Sequence, residues 1–210
     1  MQNRLFLLAA VLLTGFTANP AFAHHVVDGG VPNTLMAGLL SGLGHPIIGV
    51  DHFAFILAMG LAALFTAHRY LSPLAFILMT VAGCVLHIAG TTLPLAEIVV
   101  AGSVLVLGAL ILSGHAVAQG VHLGLFAIAG LFHGWAYGES IIGAEPTPLV
   151  AYVIGFAAIQ YAIAIAAGSL ALGLWRVAEP SAVKPRLAGA VAAGIGAAFL
   201  IENVEGMLFG

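Results

Sequence analysis

Apolar residues along this chain run in blocks of membrane-spanning length, separated by short breaks rich in Gly, Pro and polar residues. A helix crossing the hydrocarbon core of a bilayer needs about 20 such residues. On that measure the blocks predict about six spans, near 35–67, 73–90, 96–112, 120–137, 148–174 and 186–206. The first block is too long for one straight span and is interrupted by Gly42, Gly44, Pro46 and Gly49. A short or broken segment followed by a proper span from about Val50 is therefore expected. The connections are short, so residues 24–210 read as a single transmembrane helical domain. The fold class is all-α, a polytopic membrane helix bundle.

The first residues follow a different grammar. Met1 to Arg4 is a short basic stretch, Leu5 to Leu13 is apolar, and Ala21-Phe22-Ala23 has the small-x-small pattern that precedes cleavage. Residues 1–23 are accordingly expected to be a cleaved export signal. Cleavage there would leave His24-His25 at a free amino terminus, with Asp28 close by. Two imidazoles, an amine and a carboxylate can chelate a divalent cation.

Composition supports the membrane reading. Apolar residues make up 62% of the chain and charged residues 6%, against about 25% charged in soluble domains. Net charge is −3, so nucleic acid is not an expected partner. The single cysteine, Cys84, can form no internal disulfide. After the signal the basic residues are Arg69, Arg176, Lys184 and Arg186, and all fall on or beside 68–72, 113–119 and 176–185, which are alternate loops. With the positive-inside rule, this places those loops in the cytoplasm and both mature ends outside, in a bacterial inner membrane.

Small residues recur at helix-packing spacing. Gly130, Gly134 and Gly138 stand four apart, preceded by Gly120 and Gly124, and Ala190, Gly194 and Ala198 repeat the habit in the last span. Such spacing lets helix backbones approach closely, and it places His133 beside a packed seam.

Ionisable residues inside spans are costly and mark functional sites. Here they are His45, Asp51, His52, His87, Glu97, His122, His133, Glu139, Glu202 and Glu205. In the six-span topology nearly all lie in the outer half of the membrane, as a binding site on several helices would require. His45 and His52 are seven residues apart and share a face of a continuous helix, and a break at Pro46 or Gly49 would bring them nearer. Asp51 is placed to orient an imidazole or to bind metal itself. His115, His122 and His133 fall on one face of the fourth span as a candidate relay for metal or protons. Imidazole with carboxylate suits nickel, cobalt and zinc, and the scarcity of clustered soft ligands disfavours copper(I).

His45-Pro46-Ile47-Ile48-Gly49-Val50-Asp51-His52 resembles the HP-x-x-G-x-DH signature of the HupE/UreJ family. Phe132-His133-Gly134-Trp135-Ala136-Tyr137-Gly138-Glu139 is similar to that family's second motif, HG-x-AHG-x-E. Tyr137 stands where the second motif commonly has histidine, and Glu139 comes one position early. The likeness extends to length, span count and the histidine directly after the signal. It implies a hydrogenase or urease accessory protein that imports nickel, or in some members cobalt, and is not an enzyme. The expected metal residues are His45, Asp51, His52 and His133, with His87 and Glu202 nearby and His24 and His25 at the outer terminus. The divalent ion (nickel, cobalt or zinc) is cargo, and no prosthetic group is expected. Expected partners are the bilayer and the metal ion, with homo-oligomerisation left open. No G-x-x-x-x-G-K-[ST] motif is present, so ATP hydrolysis by that route is excluded. Two other readings remain: an intramembrane zinc hydrolase, which would need a general base and a nucleophile, and a metal sensor, which would need a soluble loop to carry its signal.

Overall fold

Thr34 opens the first helix, its Oγ1 accepting a hydrogen bond from the Ala37 amide at 3.1 Å and so satisfying one of the donors that a helix start leaves unpaired. The described residues form seven helices: α1 (Leu35–Ile48), α2 (Val50–Ala63), α3 (Ser72–Ile88), α4 (Ala96–Ser113), α5 (Gln119–Glu139), α6 (Pro146–Trp175) and α7 (Val183–Phe209). The computed structural model describes residues 30–176 and 179–209, and no strand occurs among them. The expected signal segment, with His24, His25 and Asp28, lies outside the described residues.

By length and composition, α4, α6 and α7 can each cross a membrane, and α1 with α2, bent by 79° at their break, can form a fourth span or a re-entrant segment. α3 is a shorter apolar helix, and α5 carries the histidines. The break in the first span falls at Gly49, which caps both α1 and α2 with extended backbone, φ −68° and ψ 106°. Two local causes act together. Pro46, in the last turn of α1, cannot donate a helical hydrogen bond. Gly49 has no side chain because the His52 ring occupies the space, and a Cβ there would stand 2.6 Å from His52 Cδ2.

Glycine contacts fix how the helices run. Gly130 and Gly134 of α5 lie against the backbones of Phe76 and Thr80 of α3, and Gly138 lies against Cys84 and His87. Both numbers rise together, so α3 and α5 are parallel. Gly38 and Gly42 of α1 meet Pro148 and Tyr152 of α6, and Gly60 of α2 meets Ala164, so α1 and α2 both run parallel to α6. In contrast, Gly108 of α4 meets Gly189 and Ala193 of α7, while Gly196 meets Leu105, an antiparallel pair. These are the relative directions that alternating spans require when α1 and α2 form one span. Arg69, Arg176, Lys184 and Arg186 then gather at the end where α2, α4 and α6 finish. Glu97, Glu139, Glu202 and Glu205 gather at the opposite end.

Two expected seams are corrected. Nothing lies within 4 Å of a Cβ built on Gly120, Gly124 or Gly194, so these glycines are not packing contacts. The seam of α7 runs through Gly189, Ala192 and Gly196 instead. Nearly every residue from Ala188 to Ala198 is small, so a spacing of four can be drawn on more than one face.

The core has two levels. One cluster includes Phe55, Ile56, Met59, Phe76, Leu107 and Phe126. A second, toward the acidic end, comprises Cys84, Tyr137, Ile141, Tyr152 and Phe156.

Candidate metal site

The break at Gly49 sets the site's geometry. His45 lies in the last turn of α1, and Asp51 and His52 lie in the first turn of α2. Along a straight helix, seven residues would separate the two histidines by about 10 Å. Across the break their ring centroids are 6.0 Å apart. His133 enters from α5, held inside by the adjacent close contact of Gly134 with α3. All three imidazoles are buried.

The hydrogen bonds define the tautomers. Ser103 Oγ donates to the Val100 carbonyl at 2.7 Å and so accepts from His133 Nε2 at 3.0 Å. A neutral His133 then has an acceptor at Nδ1, which takes a hydrogen bond from His52 Nδ1 at 2.7 Å. His52 is left with its lone pair on Nε2. Hydrogen bonding thus orders this chain of two imidazoles and a serine around one exchangeable proton. On the other side, His45 Nδ1 lies 3.0 Å from both Ser140 Oγ and Tyr152 Oη, and Tyr152 donates to the Tyr137 carbonyl at 2.8 Å.

Tyr137 sits between the two halves, its ring centroid 4.9 Å from that of His45 and 4.6 Å from that of His52. Its hydroxyl is buried with no hydrogen-bond partner. An orphaned hydroxyl in a buried site is costly, and the ring that carries it packs against both His45 and His52. Below the cluster, Phe55 and Phe76 pack on the His133 ring at centroid distances of 4.8 and 5.4 Å.

Asp51 is buried, and its Oδ1 accepts from the His52 amide at 2.8 Å. It therefore stabilises the amino-terminal turn of α2 rather than gripping an imidazole. Glu97, at the start of α4, is within electrostatic reach of Asp51, His52 and Glu139, which gives the acidic end a negative rim beside the cluster. As the side chains lie, the described residues hold no group of three or more His, Cys, Asp or Glu arranged to bind a metal ion. The reason is visible in the bonding: the nitrogens of His52 and His133 face each other, and His45 faces Ser140 and Tyr152.

The other expected residues are placed differently. His87 donates from Nδ1 to the Trp135 carbonyl at 2.6 Å, its ring 4.0 Å from that of Trp135. It joins α3 to α5 beside the cluster. Glu202 is exposed on α7 and makes no hydrogen bond to the cluster. Continuing the α4–α7 register, Glu97 comes level with Val204, between Glu202 and Glu205, so these acids share a level but not a contact. Sequence reasoning missed Ser103, Ser140 and Tyr152. Isolated serines and tyrosines in apolar runs carry no periodic signal, and only the fold shows that they face histidines.

The bundle and its polar centre define a polytopic helical membrane protein with a buried imidazole cluster at a broken span. Comparison with known proteins narrows this. The family model described as HupE / UreJ protein matches residues 11–199, and the chain belongs to that family. It is 33% identical over 171 residues to Protein HupE of Rhizobium leguminosarum bv. viciae, covering 78% of this chain and 85% of that one. No solved structure matches the chain.

Proposed function

We propose that this protein imports a divalent transition metal across the bacterial inner membrane, nickel first and cobalt next, for the maturation of metalloenzymes. The observation that carries this reading is the His52–His133 pair, two imidazoles from different helices sharing one proton in the membrane interior beside His45. Such a pair takes a cation between its two Nδ1 atoms with little movement, the His52 proton passing to the Nε2 of the same ring. Metal–nitrogen bonds of about 2.0–2.1 Å in a tetrahedral arrangement need the two nitrogens roughly 3.3 Å apart, against 2.7 Å in the proton-bonded pair. The rings of His45 and Tyr137 both pack against His52. Imidazole donors with a nearby carboxylate suit borderline divalent cations.

The positive-inside rule orients the path. The basic end faces the cytoplasm, and the acidic rim of Glu97, Glu139, Glu202 and Glu205 faces outward, where it attracts a cation toward the cluster. Asp51 sets the first turn of α2 and with it the position of His52. His87 and Glu202 act near the mouth, not as members of the cluster, and His24, His25 and Asp28 gather dilute metal outside. Since imidazole must be deprotonated to bind metal, uptake should fall as the outer solution is acidified.

The test is metal uptake into liposomes containing the purified protein, comparing nickel, cobalt and zinc. Saturable entry of nickel or cobalt supports the proposal. A protein that binds metal yet moves none would sink it.

A further inference from the structure

The cluster occupies only one end of α5. At the other end is a second pair of histidines that the proposed import site does not use. His122, in the first turn of α5, is 5% exposed, and its Nδ1 is buried without a hydrogen-bond partner. The Ala118 carbonyl lies near the ring but closes no hydrogen bond on that nitrogen. His122 and the exposed His115 line the same small cavity, with Ala62 and Phe65 from the α2 side and Pro180 from the α6–α7 connection. Its volume is about 20 Å³, and roughly 10–15 Å³ suffices for one water-sized occupant. His122 and His115 thus share the wall of one small cavity, and His122 Nδ1 is buried beside it with its hydrogen-bonding capacity unused.

The surroundings show how this pocket relates to the cluster. His122 and His133 are eleven residues apart on α5, about 16 Å along its axis and on nearly the same face. Between them the interior is phenylalanine. Phe55 and Phe76 stack at 4.9 Å and both touch His133, while Phe126 stands 6.0 Å from His122. The two imidazole groups are thus separated by an aromatic plug that offers a cation no strong ligand.

We propose that His122 and His115 form a second, weaker binding site for a borderline divalent cation, on the far side of the phenylalanine plug from the His45, His52 and His133 cluster. Two features keep it weak. The amino-terminal end of α5 carries a partial positive charge, and Arg186, bonded through Nε to the Leu112 carbonyl at 2.9 Å, lies at the same end. Weak holding is what a release site needs, because an ion must leave as well as arrive. That the ion comes from the cluster rests on the import reading. That His122 and His115 bind it does not.

Equilibrium dialysis of the purified full-length protein against nickel, with cobalt absorption spectra in parallel, separates the two claims. In a H24A/H25A background, which removes the amino-terminal histidines, the protein should bind two ions in distinct affinity classes. H115A/H122A should lose the weaker class and keep the tighter one, and H52A/H133A should do the reverse. In liposomes, H115A/H122A should lower the maximal uptake rate at least tenfold while leaving half-saturation unchanged. If that variant is not monodisperse, H122Q combined with H115A, where His115 is exposed, gives the same readout with less disturbance of the buried position. Unchanged stoichiometry and maximal rate in these variants would overturn the proposal, as would loss of the weak class when only the cluster is removed. Should wild type itself move no metal, the import reading falls, and the dialysis alone still decides this site.

Discussion

Two glycine-seamed helix pairs in this bundle look alike in sequence and differ in what they do. In α3–α5, Gly130, Gly134 and Gly138 bring parallel helices together, and His133, Tyr137 and His87 stand on or beside the seam. In α4–α7, Gly108, Gly189 and Gly196 bring antiparallel helices equally close, but the residues between them are apolar, such as Leu107, Ile111 and Ala192. Close approach is therefore a packing device common to both pairs. What distinguishes the first is that it presses imidazoles into hydrocarbon, where each must find a partner. Small-residue spacing alone misplaces the α7 seam, and where a seam does form, the polar residues beside it mark the candidate site.

The largest expected effect comes from filling the seams. A Cβ on Gly134 would run into the Thr80 backbone, and one on Gly108 into the Ala193 backbone. Gly134→Leu and Gly108→Leu should each abolish assembly of the folded bundle, since neither neighbour can yield as a flexible side chain would. Gly134→Ala and Gly108→Ala should each destabilise by about 1–3 kcal/mol or more, read as a fall in thermal midpoint. Gly194→Ala should change stability by less than about 0.5 kcal/mol. The pairs part in function: uptake per folded molecule should drop for Gly134→Ala and hold for Gly108→Ala. Equal losses would mean that the two seams do not differ in function.

Next comes Asp51. Because its carboxylate holds the His52 amide, Asp51→Ala should weaken metal binding about 10–100-fold, the usual cost of losing a group that orients a ligand. Complete loss of uptake at saturating metal would instead make Asp51 a direct ligand. A smaller effect of opposite sign is expected at Tyr137, whose hydroxyl has no partner and whose ring lies between His45 and His52. Tyr137→His places a third nitrogen donor there and should tighten nickel binding severalfold in dialysis. Binding that is unchanged or weaker would mean that the space beside Tyr137 is not where the cation sits. His68→Ala, on the basic-side loop between α2 and α3, should leave uptake at the wild-type level.

Much of this fold is legible from hydropathy, because lipid-facing blocks of spanning length are a direct physical requirement. The break at Gly49 is legible too, since Pro46 and Gly49 interrupt a block too long for one span. The gathering of His45, His52 and His133 follows from charge cost and depth. Their bonding does not. Nothing in the sequence indicates that His52 and His133 share a proton, that Ser103 sets the tautomer, or that Tyr152 and Ser140 hold His45. Those contacts depend on which face of each helix turns inward, and α4 and α6 are apolar all round, so periodicity gives no face. The same lack of contrast misplaces the α7 seam. Asp51 is a milder case: its neighbour in sequence is right, but its partner is the backbone amide rather than an imidazole.

In the proposed import, a divalent cation takes the place of the proton between His52 and His133. The direct measurement is initial-rate nickel uptake into liposomes by wild type, His52→Ala and His133→Ala, each checked for insertion and monodispersity. Saturable uptake by wild type, reduced to background by either substitution in folded protein, is the predicted result. Wild-type uptake retained when His45, His52 and His133 are all replaced would contradict it and leave the three imidazoles as packing residues.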